Sequence, residues 1–354
     1  MKSYNVLGIS SGGGVSLFPF KDHLVGNIEP RAIFHTPKNV QWEQNFGKIP
    51  LWRNFKDGTT ALRGKRIHLI ISSPDCGSGS ILRYSRAKKL ASIRGNASLD
   101  YFFAGINHFK PDFFYFENLP AISKSLPDEE FNKLVNGYNV IRHICSVAKW
   151  GNSQISRKRL IIIGISKDIP LDGVKKFFKL PQEVDHKTCY ELYGDLDKWD
   201  EIPGTKEVNW LEGIVKMGHA REIALESISI YAGKKMLIRD IRKAWQTTLA
   251  KSRRWLVTDR KFTTAPGVYR NRKNDYPNTA RKANRQFDHN GQMLTPRQLA
   301  RIQGVPDEFK IYIDPAGRDK LNYWINKGRA LVTKTPPMEI SAWLKRKLDK
   351  IFAP

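Results

Sequence analysis

Five short apolar runs in the first half of the chain, each ending in a polar cluster, restrict the possible folds more than any other feature. "YNVLGIS", "HLVGNIE", "IHLIISS", "DFFYFEN" and "RLIIIGIS" read as strands, and helix-compatible stretches carrying Lys, Glu and aromatics fall between them. Strands alternating with helices at this spacing imply an α/β fold, an open and mainly parallel sheet covered on both faces. In such sheets ligands sit at the carboxyl ends of strands. The clusters "SSGGG", "EPR", "SSPDCGSGS" and "ENLP" all stand at such ends. With 354 residues and 40% hydrophobic content, the chain can bury this core without covalent staples.

From about Lys167 the pattern changes to short mixed segments rich in Trp, Tyr, Lys and Arg, so a second, less regular domain is expected there. Sixty Lys and Arg against 34 Asp and Glu leave a formal charge of +26, a field that attracts polyanions and above all nucleic acid. Lys251 to Arg285 concentrates that charge: eleven Lys or Arg against Asp259 and Asp275, net +9 in 35 residues, interleaved with Trp255, Phe262, Tyr269 and Tyr276. This composition suits a surface that tracks phosphates. A solvated charged face is the alternative, but Gly, Pro and Asn break up any simple amphipathic helix. Met338 to Ile351 closes the chain as an amphipathic helix.

Three cysteines, Cys76, Cys145 and Cys189, without CxxC spacing, suggest neither a disulfide framework nor a metal site, and a reducing cytosol fits best. No run approaches the roughly eighteen apolar residues of a membrane helix, and "MKSYNVLGISSGGG" lacks the shape of a signal peptide. A soluble cytoplasmic protein is expected.

Leu7 to Ser16, "LGISSGGGVS", is a strand running into glycines, which lets backbone approach a nucleotide-like cofactor at a helix N-terminus. Such a turn serves equally as plain structure. Glu29 ends the next strand, where these folds place a carboxylate on a ribose hydroxyl pair; an ordinary surface glutamate fits there as well. Cys76 lies just past a strand in a Gly/Ser loop, and Arg83, Arg86, Lys88, Lys89 and Arg94 nearby favour its thiolate, the form that attacks carbon. Glu117 and Asn118 follow an aromatic strand, a setting that raises a carboxyl pKa and suits proton donation, with helix capping as the alternative. Arg157 and Arg159, two apart at the start of a strand, are expected to share a face and reach one anionic or carbonyl oxygen, unless they only guard a strand edge.

Taken in order, the Gly-rich strand end, the loop cysteine, Glu-Asn, Arg-x-Arg and finally "LTPRQLARIQGVPDEF" (Leu294 to Phe309) resemble the motifs of the cytosine-C5 DNA methyltransferases. The last string matches nearly residue for residue, and the resemblance covers essentially the whole chain. It implies a Rossmann-like class I methyltransferase domain over 1–166, a smaller irregular target-recognition domain over 167–290, and a segment, 291–354, returning to the catalytic domain. It also implies S-adenosyl-L-methionine as cofactor, held by Ser11, Gly12, Gly13, Gly14, Glu29, Pro74, Asn96, Gly328 and Arg329. Double-stranded DNA is the implied partner, met by Ser78, Ser80, Arg83, Arg86, Arg253, Arg254, Arg270, Arg272 and Lys273. By the same resemblance a cytosine is flipped out of the duplex and Cys76 adds to its C6. Glu117 then meets N3 and the exocyclic amine, Arg157 and Arg159 meet O2 and orient the Glu and the loop, and Gly77 to Asn96 form the loop that closes over DNA. A monomer without metal, in a prokaryotic or phage-infected cell, completes the expectation.

The chain also departs from the family pattern. Pro74, Asp75, Cys76 and Gly77 stand where the family has Pro-Pro-Cys-Gln, setting a carboxylate beside the thiol and raising its pKa. Gln154 is displaced by one position from its usual spacing to the arginine pair, and no acidic residue for the cofactor's adenine is evident around "PLWRNF". In "NKGRAL", Arg329 replaces the family's Asn near the methionine part of the cofactor. A cation there would pair with a carboxylate, so carboxy-S-adenosyl-L-methionine and a carboxymethyl product form an alternative reading. A catalytically inactive DNA-binding relative is another, opposed by the joint retention of Cys76, Glu117, Arg157 and Arg159. An RNA substrate is a third, disfavoured by the large basic region.

Overall fold

The computed structural model describes residues 4–31, 41–74, 97–124, 126–181, 185–196, 268–270, 276–277, 285–287, 294, 296–311 and 336–352. Among them, β1 (Val6–Ile9), β2 (Leu24–Ile28), β3 (Leu51–Trp52), β4 (Leu69–Ser72), β5 (Phe113–Asn118), β6 (Tyr138–Ser146) and β7 (Lys158–Ser166) form one sheet ordered β3-β2-β1-β4-β5-β7-β6. The pairs β1–β2, β1–β4, β2–β3 and β4–β5 are parallel, whereas β7 runs antiparallel to both β5 and β6. The expected mixed, mainly parallel α/β sheet is therefore present. β1, β4 and β5 are buried along their whole length, as strands covered on both faces must be. Sequence pattern missed two strands of this sheet: β3 is only two residues long, and β6, at the sheet edge, is half-buried along most of its length and shows no alternation.

Around the sheet lie α1 (Gln41–Phe46), α2 (Phe55–Ala61), α3 (Ala97–Phe109), α4 (Asp128–Leu134), α5 (Leu171–Val174) and α8 (Met338–Ile351); α6 (Cys189–Tyr193) and α7 (Pro296–Ile302) are treated below. On one face Leu99, Phe102 and Ile106 of α3 and Phe131 of α4 join Ile9, Ile70, Phe114 and Phe116 in a single apolar cluster. On the other, Phe113 meets Phe178 at 6.0 Å between ring centroids, and Phe178 meets Trp343 of α8 at 6.3 Å. Ile340, Leu344 and Leu348, one turn apart, bury the same stripe of α8. The helix spans the residues the sequence pattern assigns to it.

The chain divides into two compact units, one of Met1–His186, Gln303–Tyr312 and Lys334–Pro354, the other of Lys187–Ile302 and Ile313–Thr333. The first runs on past Lys167, where the sequence changes character, because Phe178 belongs to the aromatic layer just described. In the second, Thr188 and Glu191 form a capping box at the start of α6. Arg301 of α7 reaches the Leu192 carbonyl at 3.2 Å and Asp195 at 2.5 Å, and β8 (Val268–Arg270) pairs in parallel with β9 (Arg285–Phe287). Among the described residues, no helix is long and apolar enough to cross a membrane, and no group of three or more His, Cys, Asp or Glu is placed to hold a metal ion.

Candidate active site

Because β1, β2, β4 and β5 run parallel, their carboxyl ends bring Ser10 to Gly14, Glu29, Pro74, and Glu117 with Asn118 to one edge of the sheet. After β1, Ser10, Gly12 and Gly14 take positive φ values of 56°, 65° and 85°. Such alternation turns successive N–H groups inward as a nest for oxygen acceptors. Gly14 is required twice over, since a Cβ there would also strike the Phe46 and Trp42 rings. Ser10 Oγ donates to the Ser98 carbonyl at 3.1 Å and Ser11 Oγ to the Ile71 carbonyl at 2.9 Å, tying the turn to α3 and β4. The turn continues into a helix, as the glycine pattern suggests, but one of 3-10 type, Val15–His23.

Glu29, fully buried, accepts from Gly12 N–H at 2.7 Å. It is therefore not an ordinary surface glutamate. Arg31 Nε meets one carboxylate oxygen and Arg31 Nη2 the other, each at 2.6 Å, and Nη2 also donates to the Ser10 carbonyl at 2.9 Å. Burial and a bidentate arginine make this a strong, well-oriented pair.

Glu117 leaves the end of β5 from an aromatic wall, with its side chain 8% exposed, and Arg159 Nε donates to its Oε1 at 2.8 Å. Burial pushes the carboxyl pKa up, while Arg159 and then Arg157 pull it back. The geometry is that of a buried ion pair, not a helix cap. Arg157 does not lie in the strand as its spacing to Arg159 suggests: β7 begins at Lys158, and Arg157 is the buried residue just before it. Both arginines nonetheless act on Glu117. Asn118 Nδ2 donates to the Pro74 carbonyl at 3.2 Å, tying the chain just past β4 to the end of β5.

Beneath the arginines lies a polar layer. Gln154 is fully buried; its Nε2 donates to Asn152 Oδ1 at 3.0 Å and to Gln303 Oε1 at 2.8 Å. The Leu294–Phe309 motif thus contributes Gln303 to this layer, and Phe309 meets Phe18 edge-on at 5.2 Å. Asn45 and Lys310 exchange two hydrogen bonds, Asn45 Nδ2 to the Lys310 carbonyl at 2.8 Å and Lys310 N–H to Asn45 Oδ1 at 2.7 Å.

Residues 26–321 match the family model for C-5 cytosine-specific DNA methylases. The chain belongs to that family. Type II methyltransferase M.FnuDI of Fusobacterium nucleatum is 26% identical to it over 255 residues, 69% of this chain and 67% of the relative. Among solved structures, a DNA modification methyltransferase encoded within an Escherichia coli prophage superposes with a TM-score of 0.63 at 16% identity, covering 99% of this chain and all of the other (100%). Entamoeba histolytica methyltransferase EhMeth does so at 0.63 and 15%, over 100% of both chains. At such identities these two structures speak for the fold, and the family match makes the chain a DNA methyltransferase that uses S-adenosylmethionine.

In this C-5 cytosine-specific DNA methylase, the sheet edge brings together Ser11, Gly12, Gly13, Gly14, Glu29 and Pro74, and separately Glu117, Arg157 and Arg159. Cys76, Asn96, Gly328, Arg329, Ser78, Ser80, Arg83, Arg86, Arg253, Arg254, Arg272 and Lys273 lie outside the described residues, and Arg270 is described only as backbone of β8. Sequence reasoning missed Arg31, Asn152, Gln303 and Glu339. Arg31 stood in view in "EPR", two residues from Glu29, and Gln303 lies inside the Leu294–Phe309 string, whereas nothing local marks Asn152 or Glu339.

Proposed function

We propose that this DNA methyltransferase alkylates C5 of a cytosine flipped out of a specific duplex sequence, through a covalent bond from Cys76 Sγ to C6. The buried Glu117–Arg159 pair, with Arg157 acting on the same carboxylate, is the observation that supports it most. A carboxyl held toward its protonated form can donate to cytosine N3 and accept from the exocyclic amine. The two guanidinium groups meet O2 and stabilise the negative charge that develops on the ring. The Cys76 thiolate bonds to C6 and the ring's electron pair moves to C5, making it the nucleophile. Once C5 carries the new group, a base removes its proton, the C5–C6 double bond re-forms and Cys76 leaves as thiolate.

The residues after β1 and β2 suit the nucleoside side of S-adenosylmethionine: a glycine turn in which Gly12 N–H meets the buried Glu29 carboxylate. Ser11, Gly12, Gly13, Gly14 and Glu29 would hold that side, and a hydroxyl taken by Glu29 would exchange with Arg31. When bound, the cofactor supplies an electrophilic carbon. Which one, methyl or carboxymethyl, turns on Arg329, whose cationic side chain stands where the family has Asn.

The test is mass spectrometry of nucleosides from duplex DNA incubated with the protein and either S-adenosylmethionine or its carboxylated form, with Cys76→Ala as control. Methyl-deoxycytidine from wild type alone is expected. A carboxymethyl product would make Arg329 the donor-selecting residue, and no product with either donor would leave a DNA-binding relative without catalysis.

A further inference from the structure

Glu339 stands in the first turn of α8, far in sequence from every motif above, yet it ends a hydrogen-bond chain leading to Arg157. Its Oε1 accepts from Asn152 Nδ2 at 3.0 Å. Asn152 Oδ1 in turn accepts from both the backbone N–H and the Nε2 of Gln154, each at 3.0 Å. Gln154 Oε1 accepts from Arg157 Nη1 at 3.4 Å, and the Gln154 carbonyl accepts from Arg157 N–H at 2.9 Å. The Gln303 carbonyl, accepting from Met338 N–H at 2.9 Å, ties the start of α8 to the same layer. The carboxylate lies where a Cβ of Gly304 would be, so glycine at that position is what admits it.

We propose that Glu339 is a positioning residue for the base-binding set, holding Arg157 in place through Asn152 and Gln154. This rests on the reading of Glu117, Arg157 and Arg159 as the groups that bind the base. An apolar side chain would fill the space at less cost to stability. It could neither hold the Asn152 amide nor face Arg157. Burial raises the Glu339 pKa to about 7, against its own backbone N–H, Asn152 and Arg157, which draw it down. The elements packed on α8 carry Lys21, Asp22 and His23 on Val15–His23, Lys149 on Val147–Trp150, and Lys175 and Lys176 on Lys175–Phe178. The charge acting on the carboxylate is that of Arg157.

The experiment compares wild type, Glu339→Gln, Asn152→Ala and the double variant, full-length, in methyl transfer to duplex DNA across neutral pH, with thermal unfolding alongside. Wild-type kcat should rise with pH through about 7. Glu339→Gln should lower kcat by about tenfold, flatten that rise and leave the KM for DNA unchanged. Its Tm above neutral pH should be higher than that of wild type, the opposite of what a merely structural role gives. Asn152→Ala should lower kcat similarly, and the double variant should be no worse than either single one, because they break the same chain. Wild-type kcat and pH profile in Glu339→Gln, a change in KM alone, or additive losses would each overturn the proposal. Should Glu339→Gln not fold, an Asn152→Ala enzyme with the wild-type profile overturns it by itself. A folded wild type that transfers nothing to duplex DNA sinks the base-binding reading, and this inference with it, and the wild-type control makes that outcome distinct.

Discussion

Glu117 is buried at the end of an aromatic strand, so removing Arg159 strands its carboxylate without that ion-pair partner. Arg159→Ala should lower stability by about 2–3 kcal/mol in urea unfolding and push the Glu117 pKa further up, visible in an NMR titration of the carboxyl carbon. Arg31 poses the opposite case, because it occupies both oxygens of Glu29. Arg31→Ala should tighten S-adenosylmethionine binding several-fold by calorimetry; weaker binding would mean that Arg31 itself holds the cofactor. Glu339 gives stability a defined pH dependence. In the unfolded chain it ionises near its ordinary 4.5, and in the folded chain near 7. Between those values the folded state holds more protons, so this group's contribution falls as pH rises and is fully lost above about 7. The loss is up to about 3 kcal/mol. Urea unfolding of wild type against Glu339→Gln at acid and alkaline pH should show a gap that opens over that range.

The elements around the site depend on a few backbone positions that periodicity does not reveal. Gly304, two residues past α7, has φ of 68° and lies directly against the Glu339 carboxylate. Gly304→Ala should destabilise by about 2 kcal/mol or more, from the left-handed backbone and the collision together. Adding Glu339→Ala should recover part of that loss, because the collision is with the carboxylate, and unfolding of the double variant measures it. Strongly apolar strands such as β4, β5 and β7 were legible in the sequence because burial on both faces leaves an unbroken apolar run. β6 was not, since an edge strand with half-exposed positions has neither a run nor an alternation. The glycines after β1 marked a turn correctly but could not say that a 3-10 helix follows, because positive φ at Gly14 is compatible with either helix.

Charge acts over the entire protein. At +26, binding to duplex DNA should weaken steeply with salt, by roughly a thousandfold between about 50 and 200 mM, as counterions released by phosphate contacts become costlier to release. A flat plot of log affinity against log salt would contradict a basic DNA-binding surface. That prediction, like the family and the mainly parallel α/β class of the sheet, needs no coordinates. Hydrophobic runs, motif order and net charge are properties of neighbouring residues or of plain sums, so the chain declares them directly. Partnership is different. Asn152 and Glu339 are 187 positions apart, and Gln154 and Gln303 are 149 apart. Which buried polar groups meet across such distances depends on how strands and helices stack, and a bond of about 3 Å carries no trace in local composition. The placement of Glu117 at a strand end was thus readable beforehand, while its bond to Arg159, the hold of Arg31 on Glu29 and the reach of Glu339 toward Arg157 came from packing alone.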